Sequence, residues 1–174
     1  MNKIRSLYLI IVITFQRAAD HLWRWITGLP QLKRSQISGD VFLGGQYGIR
    51  AVSTMKKLGI TGIINMRLRM PHKEQLEKTF HLCHLPTTDR TAPTMQHLKT
   101  GVKFAADEIS TGGKVYIHCH YGEGRGATMA IAYLLSLGLT LEDAYSQVRK
   151  VRTFINPTKP QMARLKEFEK SLKS

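Results

Sequence analysis

Four short apolar runs punctuate the chain between residues 41 and 118. They are VFLGG (41–45), ITGIIN (60–65), FHLCHL (80–85) and KVYIH (114–118). ITGIIN is apolar without clean alternation, which is typical of strands in a parallel sheet covered on both faces. Glycines or polar segments bound each run. The pattern therefore predicts four strands.

Segments with apolar residues at helical spacing lie between and after these runs. Met95 to Ile109 follow such spacing with Thr94 as the N-cap, and a helix between two strands implies a parallel pair. The fold class is therefore α/β: a single-domain, mainly parallel sheet flanked by helices on both faces. The other predicted helices are IRAVSTMKKLG (49–59), TMAIAYLLSLG (128–138), 141–152 and 158–172.

Residues 1–34 differ in pattern from the rest of the chain. They hold six Lys or Arg residues and one acid, Asp20, around an apolar run at 7–12 that is too short for a spanning helix. Amphipathic sequence with two tryptophans follows, which suits a membrane interface. We predict a membrane-associating helix within residues 1–30 and a catalytic domain over 35–174. A signal peptide, a mitochondrial-type presequence and a helix folded onto the domain, burying its Leu and Ile side chains, are the alternatives. A linker is predicted at Gly28, Pro30 and QLKRSQ (31–36).

Charge and cysteine content narrow the partners and the compartment. The 26 Lys and Arg residues outnumber 12 acids, giving a net charge of +14. Such a balance favours nucleic acid, a membrane surface or phosphorylated substrates. The basic residues are dispersed as on ordinary solvated helices, so no nucleic-acid partner is expected. With only Cys83 and Cys119, a disulfide framework is not expected, and we predict a reducing compartment, cytoplasmic or organellar.

The stretch KVYIHCHYGEGRGAT (114–128) carries the chemistry. It is predicted as a strand, a glycine-rich loop and a helix, so backbone N–H groups and the helix N-terminus can surround a phosphoryl group. Arg125 adds a planar fork for two phosphate oxygens. Cys119 lies at the base of this loop, where these groups favour the thiolate over the thiol. The consequence is a sulfur nucleophile aimed at phosphorus.

The string His118-Cys119-x5-Arg125 resembles the HCxxGxxR signature of cysteine-dependent protein tyrosine and dual-specificity phosphatases, with similarity over residues 36–174. The resemblance implies a phosphocysteine mechanism in which Cys119 attacks and Arg125 binds the phosphate. Asp89, 30 residues upstream in the loop PTTDRTAPT, matches the general acid of dual-specificity phosphatases, with an Asx-type turn as its alternative role. His118 matches a loop-positioning residue. No metal and no cofactor are implied.

The loop around the phosphate departs from the family pattern at one position. Most members carry Ser or Thr after the arginine, whereas this chain has Gly126, which is expected to slow phosphocysteine hydrolysis by about 1–3 kcal/mol. Thr128 is not expected to substitute. A carboxylate at Glu123 is expected to repel a polyphosphorylated headgroup. The predicted phosphate-binding residues are His120, Tyr121, Gly122, Glu123, Gly124 and Arg125.

Three functions remain open on the sequence. The first is a dual-specificity-type protein phosphatase acting on phosphotyrosine, phosphoserine and phosphothreonine. The second is a phospholipid monoester phosphatase at a membrane surface, because the signature and following helix are similar to those of the mitochondrial phosphatidylglycerophosphate phosphatase. The third, of another class, is a low-turnover phosphate-binding module.

Two smaller features have competing interpretations. The basic stretch MRLRMPHKEQ (66–75) is either a rim that selects anionic substrates or a solvated loop. Cys83 is either a core residue of its strand or a thiol that resolves oxidised Cys119.

Overall fold

The computed structural model describes residues 3–28 and 34–173, with side chains from Leu7 onward. Most of the predicted linker, residues 29–33, lies outside the described part. The strands are β1 (Val41–Gly44), β2 (Ile60–Asn65), β3 (His81–His84) and β4 (Lys114–His118). The helices are α1 (Lys3–Thr27), α2 (Val52–Lys57), α3 (Lys73–Glu77), α4 (Met95–Ser110), α5 (Arg125–Ser136), α6 (Leu141–Val151) and α7 (Lys159–Ser171).

The four strands form one parallel sheet in the order β1-β4-β2-β3. Ile117 of β4 pairs with Leu43 of β1 on one side and with Ile64 of β2 on the other. All carboxyl ends therefore reach the same edge, and the interior strand β4 delivers Cys119 there directly after His118. The predicted parallel sheet is confirmed.

Helices cover both faces of this sheet, as predicted. Helices α4 and α5 pack on one face, and α6 and α7 pack on α5, so that Leu98, Ile131 and Leu165 belong to one core cluster. Helix α2, helix α3 and their flanks cover the other, with Met55 and Leu76 packed on the sheet. Helix α5 is buried along most of its length because α4, α6 and α7 all pack around it.

The helix caps follow the predicted chemistry. Thr94 and Thr140 each accept a hydrogen bond from the backbone N–H three residues later, and Thr158 with Gln161 forms a capping box. One helix was not predicted: α3 interrupts the basic stretch after β2. A single apolar residue, Leu76, anchors α3, and one position gives no periodicity to detect.

Cys83 belongs to the core. It is 8% exposed in β3, where burial raises the pKa of its thiol to about 11. Cys83 pairs with Ile64, which pairs with Ile117, so two inter-strand spacings of about 4.8 Å separate β3 from β4. A disulfide needs Cα atoms within about 7 Å. The interpretation of Cys83 as a thiol that resolves Cys119 is therefore wrong in this fold.

Helix α1 is folded against the domain with its polar side inward. Asp20 is fully buried, whereas Leu22, Trp25 and Ile26 are 57%, 83% and 64% exposed. The alternative of a helix that buries its Leu and Ile side chains is therefore wrong for this end of α1. Within the described residues, no helix combines the length and the apolar character needed to cross a membrane.

Candidate active site

Cys119 lies at the carboxyl end of β4 and is 3% exposed. The backbone N–H of Gly122 donates a hydrogen bond to its Sγ atom over 3.2 Å. Gly122 has a φ of +71°, and a Cβ there would lie 2.4 Å from the carbonyl carbon of Gly44. Only glycine allows the loop to turn this tightly under β1 and to aim its N–H at the sulfur. The structure thus places a hydrogen-bond donor on the predicted nucleophile.

Arg125 begins α5 and is 6% exposed. Its Nη1 donates to the carbonyl oxygen of Thr87 over 2.9 Å, and its Nη2 lies 2.8 Å from Oδ1 of Asp89. The loop after β3 therefore orients the guanidinium across the top of the phosphate loop. Thr87 acts through its backbone, so no side-chain motif in the sequence identifies it.

Asp89 comes to the same pocket as Cys119 and Arg125. Its side chain is 75% exposed, so it faces the opening rather than the core. The C-terminal part of the chain supports its loop, because Gln161 donates to the Thr91 carbonyl over 2.9 Å and Thr158 donates to the Arg90 carbonyl over 3.0 Å. The three residues predicted as catalytic therefore converge, although 30 residues separate the carboxylate from the thiol along the chain.

His118 is buried directly behind the nucleophile. Its Nδ1 lies 3.2 Å from the carbonyl oxygen of Cys119, and its ring packs against those of Tyr47 and Tyr116, which also contact each other. Burial lowers the pKa of His118 to about 3, so the ring is neutral at physiological pH. A neutral, buried ring in contact with two tyrosines is compatible with the predicted loop-positioning role.

The rim of the pocket combines the loop with distant residues. His120, Tyr121 and Glu123 line it, together with Asn156 and Gln161. Asn156 also donates its backbone N–H to the Glu123 carbonyl over 2.8 Å. Asn156 and Gln161 were not predicted as site residues, because a polar residue in a loop or in a helix cap has no distinguishing local pattern. Among the described residues, no cluster of His, Cys, Asp or Glu side chains could hold a metal ion.

The carboxylate of Glu123 is compensated by α1. It lies 3.2 Å from Nη2 of Arg17 and 3.5 Å from Nε2 of His21. Burial raises the pKa of Glu123, with Arg17 opposing that shift. The expected repulsion of a polyphosphorylated headgroup is weakened, since a basic side chain of a helix outside the loop neutralises this charge.

Helix α1 reaches the phosphate loop at two further points. Arg24 donates from Nη1 to the His120 carbonyl over 2.9 Å, and the His21 ring stacks on that of Tyr121 at 4.7 Å. Asp20 pairs with the buried Arg152. Sequence analysis missed all of these roles. The one available signal was that Asp20 is the single acid in a basic segment.

The position after Arg125 accommodates a small side chain only if Leu43 shifts slightly. A Cβ on Gly126 would lie 3.2 Å from Cδ1 of Leu43 and 3.4 Å from the Cys119 nitrogen. Thr128 donates its hydroxyl to the Gly124 carbonyl over 3.0 Å. This hydroxyl is therefore bonded to the helix backbone, in agreement with the expectation that Thr128 does not substitute.

The basic stretch after β2 lies beside a different cavity. The side chain of Asn65 accepts from the Arg67 backbone N–H over 2.7 Å and donates to the Arg69 carbonyl, which holds the stretch in place. Arg67 and His72 line a small cavity against Tyr47, separate from the pocket of Cys119. The stretch therefore lies at the expected edge of the sheet. No side chain of 66–75 lines the pocket of Cys119, but the Met66 carbonyl accepts a hydrogen bond from Nη1 of Arg125 over 3.5 Å.

Comparison with known proteins gives one family. The family model described as dual specificity phosphatase, catalytic domain, matches residues 41–171. Human dual specificity protein phosphatase 9 is 29% identical over 140 residues, which are 79% of this chain and 36% of that protein. Human phosphatidylglycerophosphatase and protein-tyrosine phosphatase 1 is 40% identical over 90 residues, 51% of this chain and 45% of that protein. The chain thus spans less than half of either relative.

A solved structure agrees with the sequence comparison. The crystal structure of PTPMT1 in complex with PI(5)P superimposes with a TM-score of 0.74 at 28% identity, covering 79% of this chain and 94% of that one. The region matched by the family model begins at β1, so α1 lies outside it.

Proposed function

The chain belongs to the dual specificity phosphatase family, and we propose that it hydrolyses phosphate monoesters through a phosphocysteine intermediate. The observation that carries this proposal is the convergence of Cys119, Arg125 and Asp89 in one pocket, with an N–H donor on the sulfur. The principal substrates are phosphotyrosine, phosphoserine and phosphothreonine of proteins. Both cysteines are free thiols, which supports a location in a reducing compartment.

The first chemical step uses the observed contacts. The Cys119 thiolate attacks phosphorus in line, forming the S–P bond as the P–O bond to the leaving group breaks. The substrate phosphate displaces Asp89 from Nη2 of Arg125, where the carboxylate now lies at 2.8 Å. Released from that contact, Asp89 takes up a proton from solvent and, as the carboxylic acid, transfers it to the departing oxygen. Arg125 and the loop N–H groups stabilise the equatorial oxygens.

The second step regenerates the thiolate. Asp89, now a carboxylate, accepts a proton from water as the water oxygen attacks phosphorus and the S–P bond breaks. Inorganic phosphate leaves. No hydroxyl at position 126 is available to stabilise the departing sulfur, so this step limits turnover.

Phosphate release from p-nitrophenyl phosphate tests the proposal, with Cys119→Ser and Asp89→Asn as variants. Cys119→Ser is expected to abolish turnover. Asp89→Asn is expected to slow formation of phosphocysteine from an alkyl phosphate by about 10²- to 10⁴-fold, and from the nitrophenyl ester by less, because nitrophenolate departs without a proton. If the folded wild-type protein releases no phosphate and forms no phosphocysteine adduct, the chain is a phosphate-binding module rather than an enzyme.

One observation favours a second candidate, hydrolysis of a phospholipid monoester at a membrane. Helix α1 presents a continuous apolar face to solvent, away from the domain. Because an α-helix turns by 100° per residue, the residues of this apolar face fall on one side of the helix, opposite Asp20 and Arg24. The exposed residues of this apolar face are Leu7, Tyr8, Ile11, Phe15, Leu22, Trp25 and Ile26.

A lipid surface is the occupant that fits this apolar face. Tryptophan with flanking arginine suits the level of lipid headgroups. The net charge of +14 adds attraction to anionic lipids. The polar face of α1 already contacts the rim residues His120 and Tyr121. Binding of α1 to a membrane would therefore hold the catalytic pocket near phosphorylated headgroups.

Co-sedimentation with phosphatidylglycerol vesicles tests membrane binding. Leu22→Glu is compared with Leu137→Glu, because both leucines are 57% exposed but Leu137 lies at the far end of α5. Loss of one buried leucine, about 1.5–3 kcal/mol, corresponds to a roughly 10- to 150-fold weaker affinity for Leu22→Glu, with little change for Leu137→Glu. Equal effects of the two substitutions, or no binding of the wild type, would contradict membrane association.

Substrate class is decided by kcat/KM on a phosphotyrosine peptide and on a phospholipid monoester in the same vesicles. A higher value on the lipid, together with its loss in Leu22→Glu, would support the lipid candidate. A higher value on the peptide would support the principal proposal.

A further inference from the structure

Arg152 binds the outward-facing carbonyl groups of the phosphate loop, residues 119–125. It is fully buried just after α6. Its Nη2 donates to the Tyr121 carbonyl over 2.7 Å, and its Nε donates to the Gly122 carbonyl over 3.0 Å. A loop that turns its N–H groups inward must direct its carbonyl groups outward, where they need donors. Arg152 supplies two of these donors.

One of these peptide groups also touches the nucleophile. The Tyr121 carbonyl and the Gly122 N–H belong to the same planar peptide unit. Arg152 binds its oxygen, and its N–H donates to Sγ of Cys119 over 3.2 Å. Rotation of this peptide unit would turn the Gly122 N–H away from the sulfur, and the hydrogen bond from Arg152 opposes that rotation. The guanidinium therefore orients the hydrogen bond that stabilises the thiolate.

The counterion of Arg152 comes from α1. Oδ2 of Asp20 lies 2.9 Å from Nη2 and Oδ1 lies 3.4 Å from Nη1, and both side chains are fully buried. A buried guanidinium without a counterion is strongly destabilising, so Arg152 holds this position because Asp20 is there. From the same helix, Arg24 donates to the His120 carbonyl. Three consecutive loop carbonyls, at residues 120–122, are thus held by α1 directly or through Arg152.

From these contacts we infer that Asp20 and Arg24 of α1, with Arg152, are positioning residues for the phosphate loop. The reactivity of Cys119 then depends on a helix outside the region matched by the family model, and that same helix carries the apolar face. This inference rests on the proposed function for its effect on turnover. Its effect on the thiol can be measured without any turnover.

The test uses the full chain and two readouts: kcat on p-nitrophenyl phosphate, and the rate of Cys119 alkylation by iodoacetamide as a function of pH. Asp20→Asn distinguishes positioning from a simple field effect. Removal of a negative charge near the loop would by itself favour the thiolate and move the alkylation curve to lower pH. Loss of positioning moves the curve to higher pH and lowers kcat by at least about tenfold. Asp20→Glu is expected to recover part of both.

Three further variants separate this role from folding. Arg152→Lys keeps the charge and loses the fork, so the alkylation curve is again expected to move to higher pH. Arg24→Gln, at a half-buried position with little risk to folding, is expected to lower kcat. Arg164→Gln is the matched control, since its partner Glu167 lies on the same helix. Thermal unfolding confirms that each variant is folded at the assay temperature.

Two results would overturn the inference. One is an alkylation curve that stays in place or moves to lower pH in folded Asp20→Asn. The other is a loss of kcat in Arg24→Gln no larger than in Arg164→Gln. If the wild type fails to turn over but the alkylation curves move as expected, the proposed function fails while the positioning role stands.

Discussion

Gly126→Ser is expected to accelerate the second chemical step. The Cβ of the new side chain would lie 3.4 Å from the Cys119 nitrogen, so the substitution adds a hydroxyl beside the residue that carries the sulfur. A hydrogen bond to a charged group contributes about 1.5–3 kcal/mol. Applied to the departing thiolate alone, that range corresponds to a roughly 10- to 150-fold faster hydrolysis of phosphocysteine. The contact of 3.2 Å with Cδ1 of Leu43 requires a shift of a few tenths of an ångström and lowers the gain within this range.

Rapid-quench kinetics with p-nitrophenyl phosphate measures both steps. The wild type is expected to give a burst of nitrophenol near one equivalent followed by slow steady-state release, because phosphocysteine accumulates. In Gly126→Ser the steady-state rate rises and the burst amplitude falls. Gly126→Ala is the control, since it adds the same Cβ and the same crowding without a hydroxyl.

The comparison of the two variants decides the explanation. If Gly126→Ser is no faster than Gly126→Ala, the hydroxyl does not stabilise the leaving sulfur and the reasoning is refuted. If the wild type shows no burst, attack on the substrate rather than phosphocysteine hydrolysis limits turnover, and Gly126 is not the cause of slow release.

Three further predictions follow from the site. Gly122→Ala is expected to lower kcat by about 10²- to 10³-fold, because this residue has a φ of +71° and the added Cβ would lie 2.4 Å from a carbonyl carbon of β1. Gly112→Ala is the control and is expected to keep wild-type kcat, since its φ is +81° but no atom lies within 4 Å of the added Cβ. Equal losses of kcat in the two variants would contradict the steric argument. Burial lowers the pKa of His118 to about 3, so below about pH 6 the unfolded chain takes up a proton that the folded protein does not. The free energy of unfolding therefore falls by about 1.4 kcal/mol for each pH unit of acidification in that range. Urea titrations at pH 6 and pH 4 should show that this free energy depends less on pH in His118→Gln than in the wild type. With the pKa of Cys83 raised to about 11, mass spectrometry after iodoacetamide treatment at pH 7 should find label on Cys119 alone, and label on Cys83 of the folded protein would contradict the raised pKa of its thiol.

The phosphate loop could be predicted from the sequence because its parts are contiguous. Strand, glycine turn and helix occupy residues 114–136, and local backbone preferences decide how such a segment folds. The nucleophile and the guanidinium fork lie within that segment. Asp89 was predicted from the resemblance to dual-specificity phosphatases, and in the fold its carboxylate contacts Arg125. The substrate class had no such local signal, since the same loop serves any phosphate monoester.

The side of α1 that faces the domain could not be predicted. Helical periodicity tells which residues share a face, but it does not tell which face is covered. The usual expectation is an apolar face against the core. Here the polar face is buried instead, because the loop carbonyls and the buried Arg152 provide partners for its charged side chains.

By itself, the sequence determined the parallel sheet, its helices other than α3 and the loop that surrounds Cys119, because these depend on neighbouring residues. The tertiary structure alone decided which distant groups hold that loop. Asp20 and Arg152 are 132 positions apart, and Gln161 reaches a carbonyl 70 positions away. A buried charge or carbonyl needs a partner, but its chemistry does not specify which one, so only the folded chain selects it.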